Sequence, residues 1–184
     1  REPVGGLPLL EFCAQERLGL VERLELFCQV CDAVQHAHQK LVIHRDLKPS
    51  NILVTLESGR HLCKVIDFGI ATGLERPLVE SAALEGRAGI PVGTPVYMSP
   101  EQVTGDLDLD ARVDVYALGV LLYRLLAGTL PLDAAGAEPY QQMMRMLHEE
   151  LPRPSVRFAS LPTASREQIA SRRGTNPRTL ERSL

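Results

Sequence analysis

Residues 43–69 constrain the chain more than any other stretch. They read Ile-His-Arg-Asp-Leu-Lys-Pro-Ser-Asn-Ile-Leu-Val, then a turn, then Lys-Val-Ile-Asp-Phe-Gly. A polar cluster of His44, Arg45, Asp46, Lys48 and Asn51 is followed by Asp67-Phe68-Gly69. Apolar runs flank each half: Leu41-Val42-Ile43 before, Ile52-Leu53-Val54 between, Val65-Ile66 after. Short β-type runs that deliver charged groups into loops suit an active site held on a rigid scaffold.

These residues resemble the catalytic loop (His-Arg-Asp-Leu-x-x-x-Asn) and the metal-binding loop (Asp-Phe-Gly) of protein kinases. A third signature follows in the family's order. Gly93-Thr94-Pro95-Val96-Tyr97-Met98-Ser99-Pro100-Glu101 resembles the family segment ending in Ala-Pro-Glu, with Ser99 in place of Ala. Three motifs in sequence make chance a poor explanation. The wording is closest to bacterial, eukaryotic-like Ser/Thr kinases. The resemblance implies a mainly α fold with a small β component (α+β), the architecture of the kinase C-terminal lobe. Residues 1–184 then form a partial kinase domain, cut at both ends, with an activation segment over 67–101. No Gly-x-Gly-x-x-Gly loop and no Val-Ala-Ile-Lys strand occurs; in the family both lie upstream.

The resemblance also implies roles. Asp46 is the base that orients a substrate hydroxyl and accepts its proton. Lys48 sets a positive charge against the γ-phosphate, where charge develops. A Lys two residues after the Asp is the Ser/Thr-kinase pattern. Asn51 and Asp67 hold Mg²⁺ through hard oxygen atoms. ATP and Mg²⁺ are therefore the expected cofactors, and backbone groups near Glu2 and Val4 would meet the adenine edge. Arg45 is expected to contact a phosphorylated activation loop, a charge-assisted pairing. Thr94 supports Asp46 and Lys48, and Asp114 holds the catalytic-loop backbone from beneath. His44 braces the loop and is not catalytic. Within 70–92 the hydroxyl residues are Thr72 and Ser81, and Ser81 is the more central candidate for phosphorylation. Glu101 resembles an acid whose Arg partner lies beyond Leu184, which would leave a costly unpaired carboxylate.

Composition narrows the partners. The formal charge of −3 argues against nucleic acid. Residues 151–184 differ from the rest, with seven Arg against two Glu. They lack a steady period and are expected to form a solvated, poorly ordered basic end. Cys13, Cys28, Cys31 and Cys63 show no disulfide framework, so a reducing compartment is expected. No signal peptide opens the chain. Residues 115–128 are apolar, but they are too short to span a bilayer and contain Arg124. A cytoplasmic setting is the expectation, any membrane anchor being left to regions outside this chain.

Periodicity places the helices. A short one is expected over 7–14 and a longer one over 19–40, with Leu24, Phe27, Cys31, Val34, His38 and Leu41 as its buried stripe. Cys28-x-x-Cys31 with His36 and His38 has the residue types of a zinc site. On a helix, at about 100° per residue, His36 points away from Cys31 and His38. Four converging ligands are then lacking. Thr55 to Gly59 reads as a turn between two strands. Residues 111–127 are apolar almost all round, as a buried helix is, and Gly128 and Pro131 end it. Residues 139–149 suggest another helix, with Met143, Met146 and Leu147 on its apolar side.

The leading reading is an ATP- and Mg²⁺-dependent Ser/Thr protein kinase acting on a protein substrate, inactive as this isolated piece. A catalytically inactive kinase-like interaction module is the alternative, motivated by the missing glycine-rich loop. Retention of Asp46, Lys48, Asn51 and Asp67 favours the enzyme. A small-molecule phosphotransferase would share the Asp46–Asn51 spacing, but it would lack Asp-Phe-Gly and the Gly-Thr-Pro…Pro-Glu segment that positions a peptide.

Overall fold

The computed structural model describes residues 5–68, 95–106, 108–132, 141, 144–145 and 148–184. Val4, Thr72, Ser81, Thr94, Met143, Met146 and Leu147 lie outside the described residues. The architecture is mainly α with one small sheet. Strand β1 (Leu7–Pro8) leads into α1 (Leu9–Gln15) and α2 (Leu20–Gln39). A 3-10 turn at Pro49–Asn51 precedes β2 (Ile52–Glu57) and β3 (Arg60–Val65). A second 3-10 turn, Pro95–Tyr97, precedes α3 (Pro100–Thr104) and α4 (Arg112–Ala127). Helices α5 (Pro154–Ala159), α6 (Thr163–Ser171) and α7 (Pro177–Ser183) complete the described chain.

The sheet is antiparallel in the order β1-β2-β3. Its hairpin turns at Ser58-Gly59, where φ is +51° and +76°. Positive φ at both central residues matches the right-handed twist of the flanking strands, so a two-residue loop closes the pair. The strands therefore run further than the apolar runs suggested, and Thr55 belongs to β2 rather than to the turn. Leu7-Pro8 pairs with Val54 and Leu53 instead of starting the first helix. Leu41-Val42-Ile43 is not a strand; Leu41 is 93% exposed and lies just past the end of α2.

Helix α2 has the expected length, but its inward face is rotated from the expected one. Arg23, Leu26, Val30, Val34 and Ala37 are buried, while Leu24, Phe27, Cys31 and His38 flank them. Only Val34 of the expected stripe lies fully inside. The period was legible, but the phase depends on what packs against the helix, here β3 and α4. In α4, Val113, Ala117, Val120, Leu121 and Leu125 turn inward, while Val115 and Gly119 face out. Ala117, Val120, Leu121 and Leu125 join Leu9, Phe12, Leu47, Ile52, Val54, Val96 and Tyr97 in the main core. Each fully buried aliphatic side chain there contributes about 1.5–3 kcal/mol over its exposed state.

Residues 151–184 are not the irregular end expected from composition. Their three helices close a second small core of Phe158, Ala170 and Leu180, with Leu161, Ile169 and Leu184 beside it. The helices are short and Arg-rich, so no long period marks them. Arg173 fixes their place. It is buried, and its guanidinium donates to the carbonyls of Leu125 (2.9 Å), Leu126 (3.0 Å) and Ile169 (3.1 Å). A helix leaves its last carbonyls without intrahelical donors, and Arg173 satisfies two of them at the end of α4. Arg23 braces the turn after α1, bonding the carbonyl of Cys13 near that helix's end (3.0 Å) and that of Leu18 beyond it (2.8 Å). Burial lowers the pKa of both guanidinium groups, Arg173 to about 10.

Candidate active site

The loop of residues 44–51 hangs from α4. Asp114, 1% exposed, sits in the first turn of that helix. Its Oδ2 accepts from the backbone N–H of His44 at 2.8 Å, and its Oδ1 accepts from the N–H of Arg45 at 2.8 Å. The ring of His38 adds a third bond, Nε2 to Oδ2 at 2.7 Å. A buried carboxylate must be paired and hydrogen-bonded to remain tolerable, and three N–H groups do this here.

Arg45 needs that grip. Its φ is +65°, in the left-handed region that costs a non-glycine residue energy. Its N–H is held by Asp114, and its carbonyl accepts from Gln102 Nε2 at 2.7 Å. The Arg45 side chain itself is exposed. Gln102 is fixed in turn by a capping box, its Oε1 accepting from Ser99 N at 3.0 Å while its own N–H bonds Ser99 Oγ at 3.4 Å. The segment following Tyr97 is thus tied to the loop that carries Asp46.

Asp46, Lys48 and Asn51 are brought together by that loop. Lys48 Nζ lies 2.7 and 3.1 Å from the two carboxylate oxygens of Asp46. Asn51 Nδ2 donates to the Asp46 carbonyl at 2.9 Å and to its Oδ2 at 3.2 Å. With its amide nitrogen so engaged, Asn51 keeps Oδ1 as an acceptor, met among the described residues only by the Ser50 hydroxyl at 3.5 Å. Asn51 is buried, whereas the side chains of Asp46 and Lys48 are 42% and 22% exposed. The cluster has a fixed floor and an open top.

Asp67 reaches the same neighbourhood through the main chain. Ile66 N donates to the Asn51 carbonyl at 2.9 Å, and the Ile66 carbonyl accepts from His44 Nε2 at 2.9 Å. Because His44 Nδ1 accepts from Asp46 N at 3.3 Å, the ring proton belongs on Nε2. His44 is wholly buried, and the Phe68 ring packs on it with centroids 4.7 Å apart. Asp67 is exposed, at φ +57°, with no ion pair among the described residues.

Comparison with known proteins gives the lineage. The family described as "Protein kinase domain" matches residues 9–170.

This chain belongs to the protein kinase family.

Among its kinase relatives, serine/threonine-protein kinase Pkn1 of Myxococcus xanthus is 46% identical over 114 residues, covering 61% of this chain and 16% of the relative. Serine/threonine-protein kinase pkn3 of the same organism is 44% identical over 135 residues, 73% of this chain and 24% of the relative. Serine/threonine-protein kinase PknB of Mycobacterium leprae is 37% identical over 140 residues, covering 76% and 21%. The aligned part is thus a quarter or less of each of these relatives.

Three contacts around the site carry no motif signal. The apolar stripe of α2 assigns His38 to packing, yet its ring bonds Asp114. A polar ring on an inward stripe requires a partner, and that requirement was the available signal. Gln102 was not singled out, although Ser99-Pro100-Glu101-Gln102 has the capping-box pattern. Arg124 donates to the Tyr97 hydroxyl at 3.0 Å, a contact no local motif announces. Glu101 differs from its expectation too. It has no ion pair among the described residues, but it is half-buried and lies in the first turn of α3. A carboxylate there faces the positive end of the helix dipole, so the penalty for lacking an Arg is moderated.

Proposed function

We propose that this chain carries the phosphotransfer loops of a Ser/Thr protein kinase, which moves the γ-phosphoryl group of ATP to a hydroxyl of a protein substrate. The main support is the sharing of hydrogen bonds among Asp46, Lys48 and Asn51 on a loop suspended from buried Asp114. Phosphoryl transfer asks little covalent chemistry of the protein and much positioning, which such a suspended loop supplies.

Asp46 accepts the proton of the substrate hydroxyl on a carboxylate oxygen. Lys48 now lies on that carboxylate; turned to the γ-phosphate, it frees the oxygens to meet the hydroxyl. The donor set for Mg²⁺ fits: Asn51 Oδ1, whose amide nitrogen is already used, and the exposed Asp67 carboxylate are hard oxygens. When bound there, Mg²⁺ neutralises charge on the phosphates. Arg45, exposed beside the loop, meets a phosphorylated residue of the 67–101 segment. Thr94 supports Asp46 and Lys48, and backbone groups near Val4 meet adenine.

The test is Asp46→Asn in the full-length protein. The amide keeps the shape and loses the base. The rate of phosphate transfer should fall on the order of 10²- to 10⁴-fold with ATP binding retained. Wild-type turnover by the variant, measured with radiolabelled ATP, would remove Asp46 from the mechanism. A wild-type protein that binds ATP and transfers nothing would instead identify an inactive interaction module.

A further inference from the structure

Two turns far apart in sequence meet on one side of the fold. The first, residues 16–19, joins α1 to α2; the second, residues 172–176, joins α6 to α7. A Cβ on Gly174 would stand 3.8 Å from the Arg17 carbonyl oxygen, so the two backbones touch. Four arginines gather at this junction. Arg17 and Arg172, one in each turn, are exposed. Arg23 and Arg173 are buried, at 4% and 6% exposure. Arg23 is bonded to the first turn through the Leu18 carbonyl, and Arg173 belongs to the second.

The acceptors of the two buried groups are all neutral carbonyls: Leu18 and Cys13 for Arg23, and Leu125, Leu126 and Ile169 for Arg173. Arg173 Nε is buried with no acceptor among the described residues. Carbonyl dipoles at helix ends offset only part of a full charge. After burial, the charge of Arg23 is the next cause lowering the Arg173 pKa, so the two groups repel across the junction. Among the described residues no carboxylate pairs with any of the four. Glu22, the residue before Arg23, spends its Oε2 on Gly19 N at 2.7 Å. Buried charge without a counterion is costly, and an anion arriving from outside offsets that cost.

The rest of the molecule restricts which anion can arrive. Residues 151–184 carry +5 within a chain of −3, which leaves −8 on residues 1–150. A nucleic acid or a lipid surface is an extended polyanion and would meet that acidic body as well. A short acidic peptide needs to touch only the junction, and charges more than about 10 Å away are screened from it. We propose that the junction is a docking surface for an acidic segment of a partner protein, whose carboxylates bind Arg17 and Arg172 above the buried pair. Two parallel N–H bonds from each exposed guanidinium suit a carboxylate. Docking there is separate from phosphotransfer, so a protein without activity would bind the segment equally well.

The experiment measures binding of a fluorescein-labelled oligoglutamate peptide, about ten residues long, to the full-length protein by anisotropy. Wild type should bind it, and affinity should fall as salt rises from about 50 to about 200 mM. Arg17→Glu with Arg172→Glu should weaken binding at least ~tenfold, because like charges then face the peptide. Arg17→Lys with Arg172→Lys should keep most of it, and thermal melts establish that both variants are folded. Lys40→Glu makes the same charge change at the other end of α2, about 25 Å from Arg23 at the rise of a helix, and should leave affinity within about twofold. Absence of binding, or an equal loss in Lys40→Glu, overturns the site. Should the reversed variant not fold, loss of binding in the folded Arg17→Gln variant with Arg172→Gln decides, and unchanged binding there overturns the site. Tighter binding of duplex DNA, or of vesicles of phosphatidylserine and phosphatidylcholine, overturns the assignment to a protein segment.

Discussion

Three N–H groups converge on the Asp114 carboxylate, and each uses it differently. Those of His44 and Arg45 fix the backbone leading into Asp46, while His38 anchors the end of α2 to the start of α4. Asp114→Asn keeps the volume but turns one end of the group into a donor, so at least one buried N–H loses its acceptor. The expected cost is about 1–3 kcal/mol of stability. Turnover should fall more than substrate affinity, because the loop loses its aim before it loses its surface. Thermal melts beside kcat and KM of the variant check both parts. The motif reading pointed to Asp114, because the family's acid sits at that spacing. It missed His38 and Gln102, whose partners are 76 and 57 residues away in the chain. Contacts of that kind are made by folding and leave no local pattern.

Helix lengths in the first two thirds of the chain were readable because apolar residues recur and turn residues punctuate them. Which face turned inward was less so, as α2 shows. Two glycines, one inside α4 and one at its C-terminal cap, illustrate what the pattern hides. A Cβ on Gly119 would meet nothing within 4 Å, whereas one on Gly128 would stand 2.6 Å from Ile169 Cγ2 and 2.9 Å from Arg173 Nη1. Gly128 also sits at φ +76°, the left-handed cap of the helix. Gly119→Ala should therefore stabilise by about 0.5–1 kcal/mol through helix propensity. Gly128→Ala should destabilise by at least ~2 kcal/mol, from strain at the cap and displacement of the Arg173 fork. Denaturant melts of the two variants give opposite signs if this account holds.

Across the whole molecule, two clusters of buried side chains are joined at the end of α4, with Arg173 reaching from the C-terminal helices to the α4 carbonyls. Composition alone suggested a loose basic end there, since seven arginines read as solvated charge. The reading failed because one of them works inside. The molecule also holds several weak acids away from water. Burial pushes the Cys63 thiol up to about 12, and raises Cys13, Tyr97, Tyr116 and Tyr123 as well. A raised folded pKa keeps the proton on the native state after the unfolded chain has released it. For Cys63 that stabilisation is intact below about 9 and is lost as pH climbs towards about 12. Unfolding temperature should thus drop across that alkaline window, and Cys63→Ala should flatten the drop. An equally steep profile in the variant would assign the alkaline loss to other groups.

The clamp on the Arg45 main chain has a mechanical corollary. Gln102 pulls its carbonyl from the segment after Tyr97, and Asp114 pulls its amide from the helical base. On the proposed kinase reading, a protein substrate that tugs that segment would also tilt the residue next in line, Asp46. Docking and proton acceptance would then move as one lever, so that a poorly seated protein chain meets a misaimed carboxylate without any separate gate.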